Sequence, residues 1–178
     1  MKPPTSHSSL ASASHPFARW HNYLPLLILL AVTALAATAT NQAYDGNATA
    51  MHWMQDFMGF FLVIFAMLKL FNLSKFADGF QMYDLLAKPF RPYALAYPFI
   101  ELALGLGYLA EWRPGILYPG TMVITVFGAL GVIRALIQGL DLNCACMGSI
   151  LKVPLSSVAL VEDLGMAAMA AVMWLVPR

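Results

Sequence analysis

Charged residues are scarce in this sequence: only 11% of its 178 residues are Asp, Glu, Lys or Arg, and the formal net charge is +1. About a quarter of the residues in a soluble domain are charged, so an ordinary water-exposed surface is excluded. No nucleic-acid partner is expected either, because such a partner requires a concentrated basic surface. The hydrophobic fraction is 60%, which indicates a protein that folds in a lipid bilayer.

Cysteine is nearly absent. The two cysteines, Cys144 and Cys146, cannot build a disulfide scaffold and cannot alone supply the four sulfur ligands of a structural zinc site. The sequence also lacks a Gly-rich phosphate loop, a zincin His-Glu motif and a serine nucleophile elbow. The candidates that remain are the cysteine pair and the few charges inside the apolar segments.

Long apolar segments are abundant. Five segments have the length of about 17 to 25 residues that a membrane crossing needs: 23–40, 54–73, 93–110, 116–140 and 155–176. We therefore predict an all-α membrane protein, with a bundle of four core transmembrane helices in 54–176 and one extra N-terminal transmembrane helix at 23–40. Residues 1–22 are rich in Ser, Ala and Pro and are expected to form a disordered tail.

The segment at 23–40 has a second interpretation. A basic residue before it and small residues after it are also typical of a cleaved signal peptide. The tail in front of it is long for a signal peptide, which favours an uncleaved helix.

The distribution of Lys and Arg between the loops predicts the orientation, because basic loops stay in the cytoplasm. With a cytoplasmic N-terminus, the inner side holds more basic residues than the outer side. The inner residues are Lys2, Arg19, Lys75, Lys88, Arg91 and Lys152, and the outer ones are Arg113 and Arg178. We expect a multi-pass protein whose N-terminus and cysteine loop face the cytoplasm.

Five ionisable residues lie inside the apolar segments, where charge is costly and usually faces the bundle interior. They are Lys69, Glu101, Arg134, Glu162 and Asp163. At 1.5 Å per residue, all five lie within about 13 Å of the predicted inner helix ends. We expect Lys69 to pair with Glu101, and Arg134 with Glu162 or Asp163. Such pairs hold the bundle together or shape the floor of a functional site, and both roles stay open.

The stretch DLNCACMGSILKVPLSS (141–157) joins the last two apolar segments and contains both cysteines. A Cys-x-Cys pair can close a strained, labile disulfide, with Gly148 bending the backbone and Lys152 favouring the thiolates. The same two thiols with Met147 would suit a soft ion such as Cu(I) or Hg(II). Free cysteines are also often small buried apolar residues. The close spacing favours a reactive pair over that last interpretation.

Three motifs in a fixed order resemble the MauE/DoxX-like family of small bacterial membrane proteins. That family typically has a lysine near the end of one helix, a downstream Pro-x-x-Glu, and a Cys-x-Cys-x-Gly turn before the last helix. In this chain the first two motifs fall on Lys69 and on Pro98 with Glu101. The third falls on Cys144, Cys146 and Gly148. The resemblance covers roughly residues 54–176, and the N-terminal helix and tail lie outside it.

The chain departs from the family pattern at two places. The family's turn reads closer to Cys-Gly-Cys-Phe-Gly, whereas this chain has Ala145 and Met147 at the variable positions. Ala145 narrows the conformations open to the turn, and Met147 moves the site towards soft-metal binding. Glu162 and Asp163 stand where the family often has Arg-Asn, so the charge of that site differs.

The resemblance implies a redox-associated role in the bacterial inner membrane. The leading hypothesis is thiol-disulfide exchange by Cys144 and Cys146, tuned by Lys69, Glu101 and Arg134. Its partner would be a thioredoxin- or glutaredoxin-like protein or a disulfide-containing client, of the kind matured for methylamine dehydrogenase. A quinone or a soft metal ion stays open as cofactor. Soft-metal transport or handling and a passive assembly subunit are the alternatives. A cytoplasmic pair would rest as a dithiol.

Overall fold

The computed structural model describes residues 17–43, 49–138 and 155–176. All regular structure in these ranges is α-helical, which confirms the predicted all-α class. Six helices follow one another: α1 (Phe17–Gln42), α2 (Ala50–Leu70), α3 (Leu73–Tyr83), α4 (Arg91–Leu109), α5 (Pro114–Ile137) and α6 (Leu155–Leu175). Helix α1 begins before the predicted start at residue 23, and the remaining long helices follow the predicted apolar segments.

Local sequence signals account for the helix starts. The Thr49 side chain caps α2 by accepting a hydrogen bond from the backbone N–H of His52 at 3.2 Å, as a helix N-cap does. Helix α5 starts at Pro114, a favoured first-turn residue. The tight turn before it contains two non-glycine residues with positive φ, Glu111 at 50° and Arg113 at 38°.

Helix α3 was not predicted, because nearly all of it lies between the apolar segments 54–73 and 93–110. It has 11 residues, too few to cross a bilayer and therefore invisible to a search for long apolar segments. Its start is capped by the Asn72 side chain, which accepts from the backbone N–H of Lys75 at 3.4 Å. Phe76, Phe80 and Tyr83 form its buried face.

Two helices in the described ranges are long and apolar enough to cross a membrane, α2 with 21 residues and α5 with 24. The described apolar part of α1, Leu26–Gln42, is shorter than a full crossing. In α4, Arg91, Glu101 and two prolines interrupt the apolar residues. The predicted count of four core spans and one additional span therefore stays a prediction.

Close backbone contact holds α2 against α4. A Cβ atom on Gly105 would lie 2.9 Å from the backbone nitrogen of Val63 and 3.0 Å from the carbonyl oxygen of Gly59. Small residues at such crossings let two helix backbones approach each other inside a membrane. Helix α6 packs mainly on α5, α1 packs on α2, and α3 lies against α4 and α5.

The distribution of polarity is that of a membrane protein. Large apolar side chains are exposed on all six helices; examples are Leu35, Met67, Met82, Phe99, Val123 and Leu175. Polar and charged side chains are buried instead, among them Gln55, Asp56, Lys69, Glu101, Thr121 and Thr125. In water so much exposed apolar surface would drive association. In lipid it faces a matching solvent, and the polar groups find their partners inside the bundle.

Candidate functional site

A buried ion pair joins α2 to α4. Lys69 lies in the last turn of α2 and Glu101 near the middle of α4, and only 5% and 4% of their surfaces are exposed. The ammonium of Lys69 donates to both carboxylate oxygens of Glu101. This is the pairing expected from the sequence. The Lys69 side chain does not extend towards water, because the close α2–α4 crossing keeps both side chains of the pair inside the bundle.

Aromatic rings surround the lysine ammonium. Its Nζ lies 5.0 Å from the ring centroid of Tyr97 and 5.5 Å from that of Phe76, distances at which an aromatic ring attracts a cation. The side chain of Tyr97 also hydrogen-bonds the Glu101 carboxylate. A buried pair is tolerated only when further contacts offset the loss of hydration. Tyr97 and Phe76 supply those contacts here.

A cavity of about 40 Å³ adjoins the pair and brings in α6. Glu162 and Asp163 line it together with Lys69 and Glu101. Gly128 of α5 makes room for the Asp163 carboxylate, because a Cβ at that position would lie 3.0 Å from Asp163 Oδ2. The volume suits a few water molecules and is far below the roughly 300–1,000 Å³ of an organic ligand site.

This cavity combines one ammonium with three carboxylates. Full ionisation of all four groups would leave excess negative charge in apolar surroundings, which is unfavourable. The arrangement is therefore suited to holding protons and exchanging them through water. Helix α3 closes one side of the cavity with Phe76, Phe80 and Tyr83.

Arg134 is placed elsewhere. In the described part of the chain it lines a different pocket from Glu162 and Asp163, and its expected pairing with one of them stays a prediction. It lies in the last turn of α5 and lines a second pocket with Asp84 and Lys88. Burial raises the pKa of the Asp84 carboxyl above its ordinary value, and hydrogen bonds from the backbone of Ala87 and Leu86 partly oppose that rise.

The cysteine segment lies outside the described residues. The described residues stop at Gln138, after α5, and resume at Leu155, where α6 begins. Between them lie Cys144, Cys146, Met147, Gly148 and Lys152. The structure therefore tests neither the disulfide nor the soft-metal interpretation. Among the residues that it does describe, no group of three or more His, Cys, Asp and Glu side chains could hold a metal ion.

The aromatic residues of α3 are the functional candidates that the sequence analysis missed. Phe76, Phe80 and Tyr83 recur at spacings of four and three residues, which is the spacing of one helix face. With Asn72 as a cap, this pattern would have predicted a short amphipathic helix. Tyr97 was missed as well, and its spacing of four residues from Glu101 was the available signal.

Comparison with known proteins agrees with this architecture. The sequence profile of the family described as methylamine utilisation protein MauE matches residues 47–176. No curated protein and no solved structure matches the chain. The matched region is well over half of the 178 residues. It contains α2 to α6, the Lys69–Glu101 pair and both cysteines. The chain therefore belongs to the MauE family of membrane proteins.

Proposed function

We propose that this protein is a membrane thiol-disulfide exchange protein that assists the maturation or redox state of a partner protein in methylamine utilisation. The observation that carries the proposal is the MauE match, because it spans the cysteine pair together with the buried polar site. Cys144 and Cys146 are the reacting groups. They are the only cysteines in the chain.

The proposed reaction exchanges one disulfide for another. A thiolate of the Cys144–Cys146 dithiol attacks a disulfide of the partner, forms a mixed disulfide and releases one partner thiolate. The second chain thiolate then breaks the mixed disulfide. The partner gains two electrons and two protons, and the chain becomes a disulfide. A thioredoxin- or glutaredoxin-like dithiol then reduces the chain disulfide by the same steps and restores the chain dithiol.

The cavity beside the ion pair supports a role in proton handling during this exchange. Val132 and Glu162 line that cavity. Val132 lies about 8 Å along α5 from Ile137, and Glu162 lies about 10 Å along α6 from Leu155. Ile137 and Leu155 are the helix ends on either side of the cysteine segment. Each exchange gains or loses two protons, and groups that hold protons in water-sized spaces can supply or accept them.

The proposed topology is multi-pass in the bacterial inner membrane, with the N-terminus and the cysteine loop in the cytoplasm. Its support is the excess of basic residues on the predicted inner side. The apolar outer surfaces of α1, α4 and α6 also support membrane crossings beyond those of α2 and α5. A reducing cytoplasm would keep the pair as a dithiol between turnovers.

Thiol trapping in intact cells tests the proposal. Membrane-permeant and impermeant maleimides are applied with and without prior reduction, to the unaltered chain and to Cys144→Ser and Cys146→Ser. We expect labelling of a resting dithiol by the permeant reagent alone. In one of the two single variants, the remaining thiol should accumulate a mixed disulfide with the partner.

The matched control is Ala145→Ser, which adds a hydroxyl to the same turn and keeps both thiols. It should trap no partner and should support growth on methylamine as the unaltered chain does. Full growth with Cys144→Ser and Cys146→Ser combined would contradict the proposal and favour a passive assembly subunit. One soft ion bound per chain, and lost in either single variant, would favour metal handling instead.

A further inference from the structure

A second pocket, of about 240 Å³, opens between α5 and the turn that joins α3 to α4. Two exposed basic residues line it, Lys88 from the turn and Arg134 from α5. Asp84 also lines it, but its Oδ1 already accepts hydrogen bonds from the backbone N–H groups of Leu86 and Ala87 at 2.9 and 2.7 Å. The pocket thus presents two cations to any ligand that enters it.

Backbone contacts fix the turn and the helix that carry the two cations. The N–H of Lys88 donates to the carbonyl oxygen of Asp84 at 3.2 Å. The turn also rests directly on α5, since a Cβ on Gly131 would lie 3.1 Å from the carbonyl oxygen of Tyr83 and 3.2 Å from Asp84 Cα. Arg134 follows Gly131 by three residues and therefore lies on the same face of α5. The contact between the turn and α5 therefore brings Arg134 and Lys88 to the same pocket.

Exposed apolar residues form a flank of the pocket: Met82 lines it, and each of the others is the chain neighbour of a lining residue. The exposed fractions are 53% for Met82, 46% for Leu86, 59% for Phe90 and 81% for Ile137. These residues lie at the ends of α3 and α5 and in the turn after α3. Basic groups next to exposed apolar groups at a bundle end are typical of the membrane interface, where the first meet headgroups and the second meet acyl chains.

We propose that this pocket binds the phosphate headgroup of an anionic phospholipid. Lys88 and Arg134 hold the phosphate oxygens, and the apolar flank contacts the upper part of the acyl chains. A soluble phosphate ester shares the headgroup chemistry but makes no use of the flank. The flank therefore argues for the lipid. The proposal is independent of the thiol chemistry proposed above.

The test is a lipid titration of the purified full-length chain in neutral detergent. Binding of phosphatidylglycerol and of phosphatidylcholine is measured by native mass spectrometry for the unaltered chain and for Lys88→Gln combined with Arg134→Gln. Each basic residue near a membrane surface is worth about 1 kcal/mol towards anionic lipid, so the double variant should bind phosphatidylglycerol about 30-fold more weakly. Its binding of phosphatidylcholine should weaken far less, because the choline group of that lipid already offsets the charge of its phosphate.

Two matched double variants serve as controls for this experiment. Lys75→Gln combined with Arg113→Gln removes the same charge at exposed positions outside the pocket, and it should bind phosphatidylglycerol as the unaltered chain does. Lys88→Arg combined with Arg134→Lys keeps the charge and should also retain binding. Equal weakening in the Lys75 and Arg113 pair would overturn the proposal. So would competition by glycerol 3-phosphate at the concentration of the lipid, which would identify a soluble phosphate ester as the ligand.

Discussion

At the scale of single residues, the Lys69–Glu101 pair shows how a membrane bundle tolerates charge. Moving either ion from water into an apolar interior costs several kcal/mol, and mutual attraction offsets that cost only when the remaining polar atoms are satisfied. Both carboxylate oxygens of Glu101 accept hydrogen bonds from the Lys69 ammonium. Tyr97 adds a hydrogen bond to Glu101, and its ring faces Lys69. Removal of one member of the pair leaves the other buried without its counter-charge.

We predict that Lys69→Met lowers the free energy of unfolding by about 3–5 kcal/mol, because it leaves the Glu101 carboxylate buried and uncompensated. Combining Lys69→Met with Glu101→Leu removes both charges and should recover most of that loss. Unfolding in detergent, followed by circular dichroism, measures both variants.

The control for this prediction is the exposed ion pair between Arg91 and Asp78. Arg91 Nη2 lies 2.9 Å from Asp78 Oδ1, and the two side chains are 55% and 60% exposed. Asp78→Asn should cost less than about 1 kcal/mol, because an exposed pair is solvated and screened. If Lys69→Met lowers the free energy of unfolding no more than Asp78→Asn does, the buried pair stabilises the fold no more than the exposed pair.

At the scale of helices, the α2–α4 crossing sets the geometry of the site. Gly59 and Gly105 let the two backbones meet, and this contact brings the end of α2 beside the middle of α4. Helix α3 then covers the site with its aromatic face. The aromatic contacts continue from Phe80 to Tyr97, whose ring centroids lie 4.6 Å apart.

We predict that Gly105→Ala destabilises the bundle, because its Cβ would meet the backbone nitrogen of Val63 at 2.9 Å. Alanine normally stabilises a helix relative to glycine by up to about 1 kcal/mol. Here overpacking against a backbone should cost about 1–3 kcal/mol, which outweighs that gain. A lower melting temperature in detergent is the expected readout.

Gly165→Ala in α6 is the matched variant, because a Cβ there meets nothing within 4 Å in the described structure. It should keep or raise the melting temperature. The predicted role of the close crossing is contradicted if both variants shift the melting temperature in the same direction.

At the scale of the whole molecule, polarity is reversed relative to a soluble protein. Apolar side chains cover the outside of the helices, while Asp56, Lys69 and Glu101 are buried. This distribution places the chain in lipid and makes the polar interior the place where chemistry can occur. The two ends of the bundle then face different aqueous compartments wherever a helix crosses.

We predict that α4 crosses the membrane, so that the turn before it and the turn after it lie on opposite sides. In a chain whose two cysteines are replaced by serine, Trp112→Cys should react with an impermeant maleimide in intact spheroplasts. Lys88→Cys should react only with a permeant reagent. Both original positions are exposed. Labelling of both variants by the impermeant reagent would mean that α4 does not cross.

Much of the architecture follows from the sequence. Composition and segment length determined the all-α class and the membrane environment, because a chain with 60% hydrophobic residues and 11% charged residues leaves no other solvent for its surface. Opposite charge within the same half of the predicted bundle was sufficient to predict the partner of Lys69. Motif order was sufficient to indicate the family.

Only the tertiary structure decided which faces of the helices meet. Helix α5 is apolar almost all round, so its sequence does not specify the rotation that directs Gly128 towards Asp163 and Arg134 towards Lys88. Helix α3 is short and amphipathic, and its place over the ion pair depends on residues distant in the chain, Tyr97 and Gly131 among them. Which helix faces meet, and how α3 covers the ion pair, depend on packing between residues far apart in the chain. For that reason periodicity and charge along one segment could not determine them.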